Sequence, residues 1–269
     1  MNARGFTLLE LVVAITISSI VLIFVSMFLA APVDAYDAHA RRNALVSDAS
    51  TAWPRMEADL RQALPNSLRA RRNGALVALE MLSVVDEARY LTPTNAAFTT
   101  AGVFRGVALP FNSNTHYLSV NNLGTPGADA YAPGATLTAA GSTIDIVAGP
   151  LAGETTVQVT PPAAFTGVSP RRRIYLVSGP VTYLCDEGQG TLRRYSNYPI
   201  AASQGARDTP GEFAALGAVG TLIAQGLSSC DFAAPPNATQ AQTVAARLTT
   251  TRNGESIALL HSVRLEYVP

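Results

Sequence analysis

Lysine is missing from this sequence: all 19 basic residues are arginine, and 19 acidic residues balance them. Charged residues make up only 14% of the chain, and its formal net charge is zero. A neutral chain has no overall field that would draw it to nucleic acid or to an anionic surface, so we expect no nucleic-acid partner. The low charge and the many glycines and prolines are typical of a β-rich extracytoplasmic domain with long loops.

Cysteine is almost as scarce, since Cys185 and Cys230 are the two in the chain. The sequence has no Cys-x-x-Cys and no paired histidine spacing, so we expect neither a metal site nor another cofactor. An even pair of cysteines in an exported domain predicts a disulfide bond. Two separate buried thiols are the alternative interpretation.

The sequence also lacks the signatures of common enzyme classes. It contains no Gly-x-Ser-x-Gly, no His-Glu-x-x-His and no Walker A motif. Its three histidines, His39, His116 and His261, are far apart along the chain. We therefore expect no catalytic residues and no enzyme activity.

Two short charged segments are interpreted as solvated surface. Arg171, Arg172 and Arg173 form the densest run of charge, but no aromatic residue is interleaved with them. This composition favours a solvated loop that enters a strand over a binding patch. Asp186 and Glu187 supply two carboxylates, whereas Ca²⁺ needs about six or more oxygen ligands, so a solvated turn is predicted there.

The sequence does contain one long apolar run, Phe6 to Ala31, with a single carboxylate inside it at Glu10. A helix of this length spans about 39 Å, against about 30 Å for the hydrocarbon core of a bilayer. Arg4 before the run predicts a cytoplasmic N-terminus, with everything after Pro32 outside. A carboxylate in a spanning helix is costly, so we expect Glu10 to have a function and a partner.

Three interpretations of the apolar run compete. A cleavable secretory signal has a shorter apolar region and a small-residue cleavage site, which "FLAAPVDA" would supply. A plain membrane anchor accounts for the length of the run but not for Glu10. In the third interpretation, "RGFTLLEL" resembles the processing signal of type IV prepilins, where Phe follows Gly and Glu stands at the fifth place after that Gly.

In that family, a membrane-embedded prepilin peptidase cuts after the Gly and N-methylates the new terminal Phe. The resemblance implies a leader peptide, Met1–Gly5, a cut between Gly5 and Phe6, and N-methylation of Phe6. It also implies that Glu10 neutralises a terminal amine, either its own or that of a neighbouring subunit, as helices bundle in a low-dielectric environment. The expected partners are prepilin peptidase, inner-membrane lipid, and other minor and major pilins that contact the helix at residues 6–31.

Residues 32–66 are expected to form an extracytoplasmic helical stem. Apolar residues recur at helical spacing, which predicts a helix packed against a sheet; they are Tyr36, Ala40, Ala44, Trp53, Met56, Leu60 and Leu64. Pro32 is expected to bend the helix or break its hydrogen bonding, and Pro54 implies a kink or a fresh helix start. Pro65 and Asn66 are expected to end the stem.

Residues 67–269 are expected to form a β-rich globular head, because the apolar period falls to two. The predicted strands are "ALVALEML", "HYLSVNNL", "STIDIV", "TTVQVT", "RRIYLVSG", "PVTYLCDE" and "TLRRYS". Asn253-Gly254 predicts a tight hairpin turn between Val244–Thr250 and Ser256–Val268. The segments Thr92–Pro110 and Leu123–Thr138 are expected to be surface loops, and "GEFAALGAVGTLIAQGLSSC" indicates a helix before Cys230.

The predicted fold is α+β: a long N-terminal helix, membrane-spanning in its first half, packed on a C-terminal antiparallel sheet with long loops. This order of elements is similar to that of minor pilins and pseudopilins. Four stretches further resemble the MshO group of minor pilins, from the mannose-sensitive haemagglutinin (MSHA) pilus system: "LRQALPNSLR", "VTYLCDEGQGTLRRYSNYPI", "IAQGLSSCDF" and "ALLHSVRLEYVP".

The resemblance implies a structural subunit that primes, caps or regulates pilus assembly. It places the chain in the bacterial inner membrane as a single-pass protein with a periplasmic head, and in a surface pilus if it is incorporated there. A minor pseudopilin of a type II secretion system is the nearest alternative. An exported enzyme or binding protein with an ordinary signal peptide is a more distant one.

Overall fold

The computed structural model describes residues 7–91, 103–106, 112–132, 136–165, 167–234, 241–252 and 254–266. The chain divides into two compact units, Met1–Ser47 and Asp48–Pro269. An N-terminal helix is followed by antiparallel sheets, so the predicted α+β class with a long N-terminal helix is confirmed. We call the second unit the head.

The first unit is described by one helix, α1 (Leu8–Ser50), which continues through Pro32. The helix therefore does not end at this proline, where the sequence predicts a bend or a break in its hydrogen bonding. A proline removes one backbone hydrogen bond, but bonds on either side of it hold a long helix together. The side chains of Tyr36, Ala40 and Ala44 are exposed, and their expected packing against a sheet remains a prediction. Their spacing indicates a helix but does not say what covers it.

A second helix, α2 (Ala52–Arg61), begins just after Thr51 and belongs to the head. The fresh helix start predicted from Pro54 is confirmed, because Pro54 falls in the first turn, where its missing N–H has no intrahelical partner. The predicted stripe of Trp53, Met56 and Leu60 is buried. The helix ends at Arg61, before Pro65.

Twelve strands are present in the described residues of the head. They are β1 (Arg69–Asn73), β2 (Leu76–Arg89), β3 (Phe104–Gly106), β4 (Tyr117–Val120), β5 (Thr143–Ala148), β6 (Thr155–Thr160), β7 (Arg173–Asp186), β8 (Thr191–Ser196), β9 (Val219–Gln225), β10 (Leu227–Ala233), β11 (Ala241–Arg252) and β12 (Glu255–Glu266). A six-stranded sheet has the order β1-β2-β7-β8-β9, with β4 also paired to β7. Two three-stranded sheets have the orders β10-β11-β12 and β3-β6-β5.

Strand β7 is one continuous strand where the sequence predicts two. Gly179 and Pro180 separate "RRIYLVSG" from "PVTYLCDE" in the sequence pattern, but pairing with β2 continues on both sides of them. The glycine and the proline leave only a local irregularity in the strand pairing. It is a register shift near Ser83 and Val84, opposite Gly179, whose φ is 132°. A long partner strand therefore overrides the local turn signal.

The helix predicted in "GEFAALGAVGTLIAQGLSSC" is mostly wrong. Only α3 (Pro210–Ala215) is helical, and the rest of the segment forms β9 and most of β10. Gly217, with a φ of 67°, follows the last turn and adopts the left-handed conformation that commonly ends helices. The hairpin predicted at Asn253-Gly254 is confirmed, since Arg252 pairs with Glu255 across it.

One predicted surface loop contributes to the core. In the described parts of residues 123–138, Ala130, Tyr131 and Leu137 are buried, and the Tyr131 hydroxyl donates to the Ser67 carbonyl at 2.8 Å. Most of the other predicted loop, Thr92–Pro110, lies outside the described residues. The part that is described contains β3, whose Phe104 is buried.

The largest apolar core cluster lies where α2, the six-stranded sheet and the β10-β11-β12 sheet meet. Asp59 projects from α2 into this region, where it accepts hydrogen bonds from the Tyr183 hydroxyl at 2.7 Å and from the Arg194 guanidinium. Burial and the neighbouring Asp59 carboxylate raise the pKa of Tyr183 well above its ordinary value. This polar contact fixes α2 against the strands that carry the rest of the core.

Candidate processing and assembly site

The predicted cleavage residues, Gly5 and Phe6, lie outside the described residues. The predicted cut between them and the predicted N-methylation of Phe6 remain predictions. The described chain begins at Thr7, immediately before the first residue of α1.

The start of α1 places the Glu10 carboxylate against Thr7. Oε2 of Glu10 accepts from the Thr7 backbone N–H at 3.2 Å and from the Thr7 hydroxyl at 3.1 Å. In return, the Glu10 backbone N–H donates to the Thr7 hydroxyl oxygen at 3.3 Å. This reciprocal arrangement is a capping box, which satisfies backbone donors that have no partner within the helix.

The contact between Thr7 and Glu10 was not predicted from the sequence. The signal was present, because Thr followed three residues later by Glu before an apolar run is the sequence pattern of a capping box. The negative carboxylate also lies at the positive end of the helix dipole, where it is favoured. Glu10 therefore has a local role at the helix start, independent of any other subunit.

A second capping box in the head has the same geometry. At the start of α3, the Thr209 hydroxyl accepts from the Glu212 N–H at 3.3 Å, and Oε2 of Glu212 accepts from the Thr209 N–H at 3.0 Å. Burial alone would raise the pKa of Glu212, but the backbone N–H groups of Asp208 and Thr209 and the Thr209 hydroxyl lower it below its ordinary value. The two boxes begin different kinds of helix: α3 is short and packs in the head, whereas α1 is long and apolar.

The segment Leu8–Phe28 of α1 is long and apolar enough to cross a membrane, judged by length and composition. None of its side chains is buried within the described chain. Three hydroxyls inside it bond back to carbonyls of the same helix: Thr16 to Val13 at 2.9 Å, Ser19 to Ile15 at 2.7 Å and Ser26 to Ile23 at 2.8 Å. Polar side chains that are satisfied in this way are compatible with an apolar environment.

The predicted disulfide is present in the head, between Cys185 of β7 and Cys230 of β10. Their Cα atoms are 6.4 Å apart, and both residues are buried. Because β7 belongs to the six-stranded sheet and β10 to the β10-β11-β12 sheet, the bond ties the two sheets together.

An ion pair, Arg72–Glu187, braces this disulfide from the surface. The Cys230 N–H donates to Oε1 of Glu187 at 3.0 Å, and the Arg72 guanidinium donates to the Cys230 carbonyl at 2.7 Å and to Oε2 of Glu187 at 2.9 Å. Partial burial would raise the pKa of Glu187, but these hydrogen bonds lower it below its ordinary value. The solvated turn predicted at Asp186 and Glu187 is only partly right: both residues are half-buried, Glu187 begins the turn, and Asp186 ends β7 and accepts from the Gln189 N–H at 2.9 Å.

The arginine run and two of the three histidines lie in or near ordinary structural contacts of the head. Arg171 and Arg172 lie in the exposed loop that enters β7, as predicted, and Arg173 binds the Glu87 carboxylate at 2.7 Å. Nδ1 of His116 lies 2.6 Å from the Ser113 hydroxyl oxygen, and the His261 ring stacks on Trp53 with centroids 4.7 Å apart. Among the described residues, no three His, Cys, Asp or Glu side chains form a group that could hold a metal ion.

One comparison with known proteins returned a match. A family model described as a prokaryotic N-terminal methylation motif matches residues 1–26, a range that contains the predicted cleavage site, Glu10 and the first part of α1. No curated protein and no solved structure matches the chain. The match supports a type IV pilin-like protein, a class of structural subunits processed by prepilin peptidase, and it fits a chain that an apolar N-terminal helix anchors in a membrane.

Proposed function

We propose that this chain is a minor subunit of a type IV pilus-like filament, cut and N-methylated by prepilin peptidase at Phe6. The observation that carries the proposal is the coincidence of three features in one segment. The methylation motif covers residues 1–26, the apolar face of Leu8–Phe28 is uncovered in the chain, and the one carboxylate of that segment stands at the helix start.

The chemistry of the cut connects these features. Cleavage after Gly5 leaves a cationic amine on Phe6, the residue that directly precedes Thr7. Glu10 already bonds to the Thr7 N–H, so its second carboxylate oxygen can pair with an amine at the same end of the helix. A free charge in lipid is costly, and opposite charges attract strongly where water is excluded. Pairing the two, within one subunit or between neighbours, fixes how far one helix slides along the next.

The finer proposal is a minor pilin of an MSHA-type pilus. It is supported by the resemblance of four stretches of the sequence to the MshO group, two of which contain the cysteines of the observed disulfide. A large head with three sheets is hard to repeat along a fibre, which favours a subunit present in few copies that primes, caps or regulates assembly. A type II secretion pseudopilin is the second candidate, because its processing signal and helix are of the same kind.

The mature N-terminus tests the core of the proposal. Mass spectrometry of the native protein is expected to find N-methylated Phe6 as the first residue. Gly5→Ala is expected to reduce processing at least tenfold on an immunoblot, since a side chain at this position disturbs the extended backbone in the peptidase cleft. A mature chain that begins near Ala31 or Tyr36 would instead establish an ordinary signal peptide and overturn the proposal.

The role of Glu10 is tested by two substitutions that separate capping from charge. Glu10→Gln keeps a side-chain oxygen that accepts from Thr7 but removes the negative charge, whereas Glu10→Ala removes both. We expect both variants to be processed normally and both to enter filaments at least tenfold less than the native chain, as measured in sheared filament preparations.

The matched control for this pair is Glu212→Gln, which makes the same change in the capping box of α3. It is expected to leave filament incorporation unchanged. If Glu10→Gln incorporates as well as the native chain and only Glu10→Ala fails, Glu10 acts as a cap alone. The charge-pairing role is then refuted, and the processing proposal stands or falls with the mature N-terminus.

A further inference from the structure

The exposed edges of the three sheets differ in how they are protected. A sheet edge presents unpaired backbone N–H and C=O groups, and proteins usually cover such an edge or place charges on it. In β1, each of the three arginines binds a carboxylate: Arg69–Glu80, Arg71–Asp208 and Arg72–Glu187. The Gln204 amide also donates to the Arg69 carbonyl at 3.3 Å. The β10 edge is covered at Cys230 by the Arg72–Glu187 brace.

The edges that belong to the second three-stranded sheet and to β4 are closed by backbone bonds from neighbouring loops. These bonds run from Leu91 N to Arg105 O on β3 at 2.6 Å, from Val120 N on β4 to Thr136 O at 2.9 Å, and from Ile144 N on β5 to Ser113 O at 2.7 Å. The β12 strand carries ionisable residues, among them His261 and Arg264. Charged edge residues of this kind oppose pairing with another strand.

Strand β9 has neither form of protection. Its sequence, VGTLIAQ, contains no ionisable residue and no proline. Within the described residues, β9 pairs with β8 on one side, and no strand, loop or side chain bonds to its backbone on the other. Two of its apolar side chains are also uncovered, since Val219 is 55% exposed and Leu222 is 39% exposed, whereas Ile223 and Ala224 pack against the core.

The local structure holds β9 in position, although the edge carries one irregularity at Ile223, which the pairing with β8 skips. A Cβ atom added to Gly220 would lie 2.8 Å from the Tyr195 ring, so glycine at this position lets Tyr195 lie close against the strand. The Tyr195 ring in turn stacks on Phe213 of α3, with centroids 4.2 Å apart. The edge is therefore formed before any partner arrives, which reduces the entropy cost of binding.

We propose that β9 is a docking edge that accepts an extended, uncharged segment of another protein as an added strand of the six-stranded sheet. Backbone hydrogen bonding specifies the occupant, because only an extended polypeptide matches a row of alternating N–H and C=O groups. The absence of charge on β9 favours a segment that is itself uncharged and rich in β-branched or apolar residues. In a filament the donor is a neighbouring subunit, and that identification alone rests on the proposed function.

The size of the edge favours a donated segment over a second head. Seven residues extend about 24 Å, and two rigid heads that meet only along such a line bury less than the roughly 1,200–2,000 Å² of a standard stable interface. An extended segment instead gains hydrogen bonds along the edge on either side of the irregularity at Ile223, while its side chains cover the exposed residues of β9. Pairing of β9 with β9 of a second copy is therefore the alternative outcome of the test.

The proposal is tested by photo-crosslinking of the full-length protein in intact cells. Leu222→p-benzoylphenylalanine places the probe on the edge, and Leu260→p-benzoylphenylalanine, at a 70% exposed leucine of β12, is the matched control. We expect the probe at Leu222 to form one major adduct, which peptide mass spectrometry maps to an uncharged segment of a different protein. The probe at Leu260 is expected to leave that segment unlabelled.

A charged substitution separates strand addition from simple proximity. Thr221→Lys adds an edge charge next to the probe and is expected to reduce the Leu222 adduct at least tenfold, whereas Leu260→Lys leaves it unchanged. Trp53 fluorescence shows that each variant is folded. In the purified adduct, amide hydrogen exchange in 219–225 is expected to slow at least tenfold relative to the free protein.

Four results would overturn the proposal: no adduct at Leu222 in a folded chain, an adduct to β9 of a second copy, an adduct that Thr221→Lys does not reduce, or unchanged amide exchange in β9. The mature N-terminus is measured in the same cells. Loss of the adduct with normal processing refutes the docking edge only, and an adduct in a chain that is not cut at Gly5 refutes only the filament role.

Discussion

The two units of this chain differ in whether their apolar side chains are buried. Leu, Ile, Val and Phe of α1 between Leu8 and Phe28 are exposed, whereas the same residue types in the head fill the core between α2 and the sheets. Exposing apolar side chains to water costs about 25 cal/mol of free energy per Å² of exposed area. The difference indicates that the head is stabilised within its own chain, while α1 depends on surroundings that the chain does not supply.

The carboxylates show the same contrast. Glu80 in the head is fully buried, and burial raises its pKa, but the Arg69 guanidinium lies 3.0 Å away, and Arg69 itself is held by the Ala201 and Ala202 carbonyls and by the face of the Tyr131 ring. The Glu10 carboxylate instead bonds to Thr7 at an exposed helix start. A charge in the head is balanced inside the fold, and we propose that the charge in α1 is balanced by a terminal amine.

Removing the disulfide is the largest single change that should affect the head and not α1. The bond closes a loop between residues 45 apart, and the chain-entropy model assigns such a loop about 4 kcal/mol. Cys185→Ser combined with Cys230→Ser is therefore expected to lower the free energy of unfolding of the head by about 4 kcal/mol. Urea unfolding of the full-length protein in detergent, followed by fluorescence of Trp53, the one tryptophan in the chain, measures this change.

A reductant provides the control, because it should destabilise the native head and leave the double variant unchanged. Far-ultraviolet circular dichroism in detergent should show that the helical signal of α1 persists above the urea midpoint of the head. An unfolding midpoint that is the same with and without the bond would show that the two sheets do not depend on it.

Matched leucine truncations test the contrast most directly. Leu60 of α2 is fully buried and Leu22 of α1 is 67% exposed. Leu60→Ala removes core packing and is expected to lower the unfolding free energy of the head by about 3 kcal/mol. Leu22→Ala is expected to change it by less than about 0.5 kcal/mol. The same urea titration serves both, and equal effects would contradict the separation of the two units.

Acid should weaken the head through Glu187, with a smaller effect. The folded pKa of Glu187 is below its ordinary value, so its contribution is present above the pKa of the unfolded carboxyl and is lost as the pH falls through the folded pKa. Glu187→Gln is expected to reduce stability at pH 7 by about 1 kcal/mol, and this loss is expected to shrink as the pH falls through the folded pKa and the native carboxyl takes up a proton.

The control for this prediction is Glu57→Gln on α2, which removes the ion pair between Glu57 and the exposed Arg61. It is expected to change stability by less than about 0.5 kcal/mol throughout the same pH range. Unfolding curves recorded from pH 7 downward measure both variants, and a loss for Glu187→Gln that stays constant as the pH falls would show that its charge is not the cause.

Sequence patterns predicted the elements whose own residues determine them. The apolar length of α1, the buried stripe of α2 and the β11–β12 hairpin depend on local composition and spacing. Strand β1 was not predicted, because RARRN has no apolar alternation and its arginines find carboxylates as far away as Asp208. Strand β9 was predicted as helix, because its residues and those before it suit a helix until Gly217 ends α3 and pairing with β8 decides the rest.

The candidate site was predicted to a similar extent. Glu10 was found from the sequence because it is the one carboxylate in an apolar run. The cysteines were found because the chain contains only two. The Arg72–Glu187 brace was not found, since its members are separated by more than a hundred positions and meet only when β1 and the turn after β7 lie side by side. Contacts between distant segments require the fold.

The scarcity of thiols simplifies the maturation of the head. A chain with two cysteines has one possible intramolecular crosslink, so its oxidation yields no scrambled isomers that an isomerase must correct. Arg72 and Glu187 form hydrogen bonds to the backbone of Cys230, and these bonds do not involve sulfur. We therefore expect a head that is reduced after folding to keep its two thiols close together, so that the same bond forms again on re-oxidation.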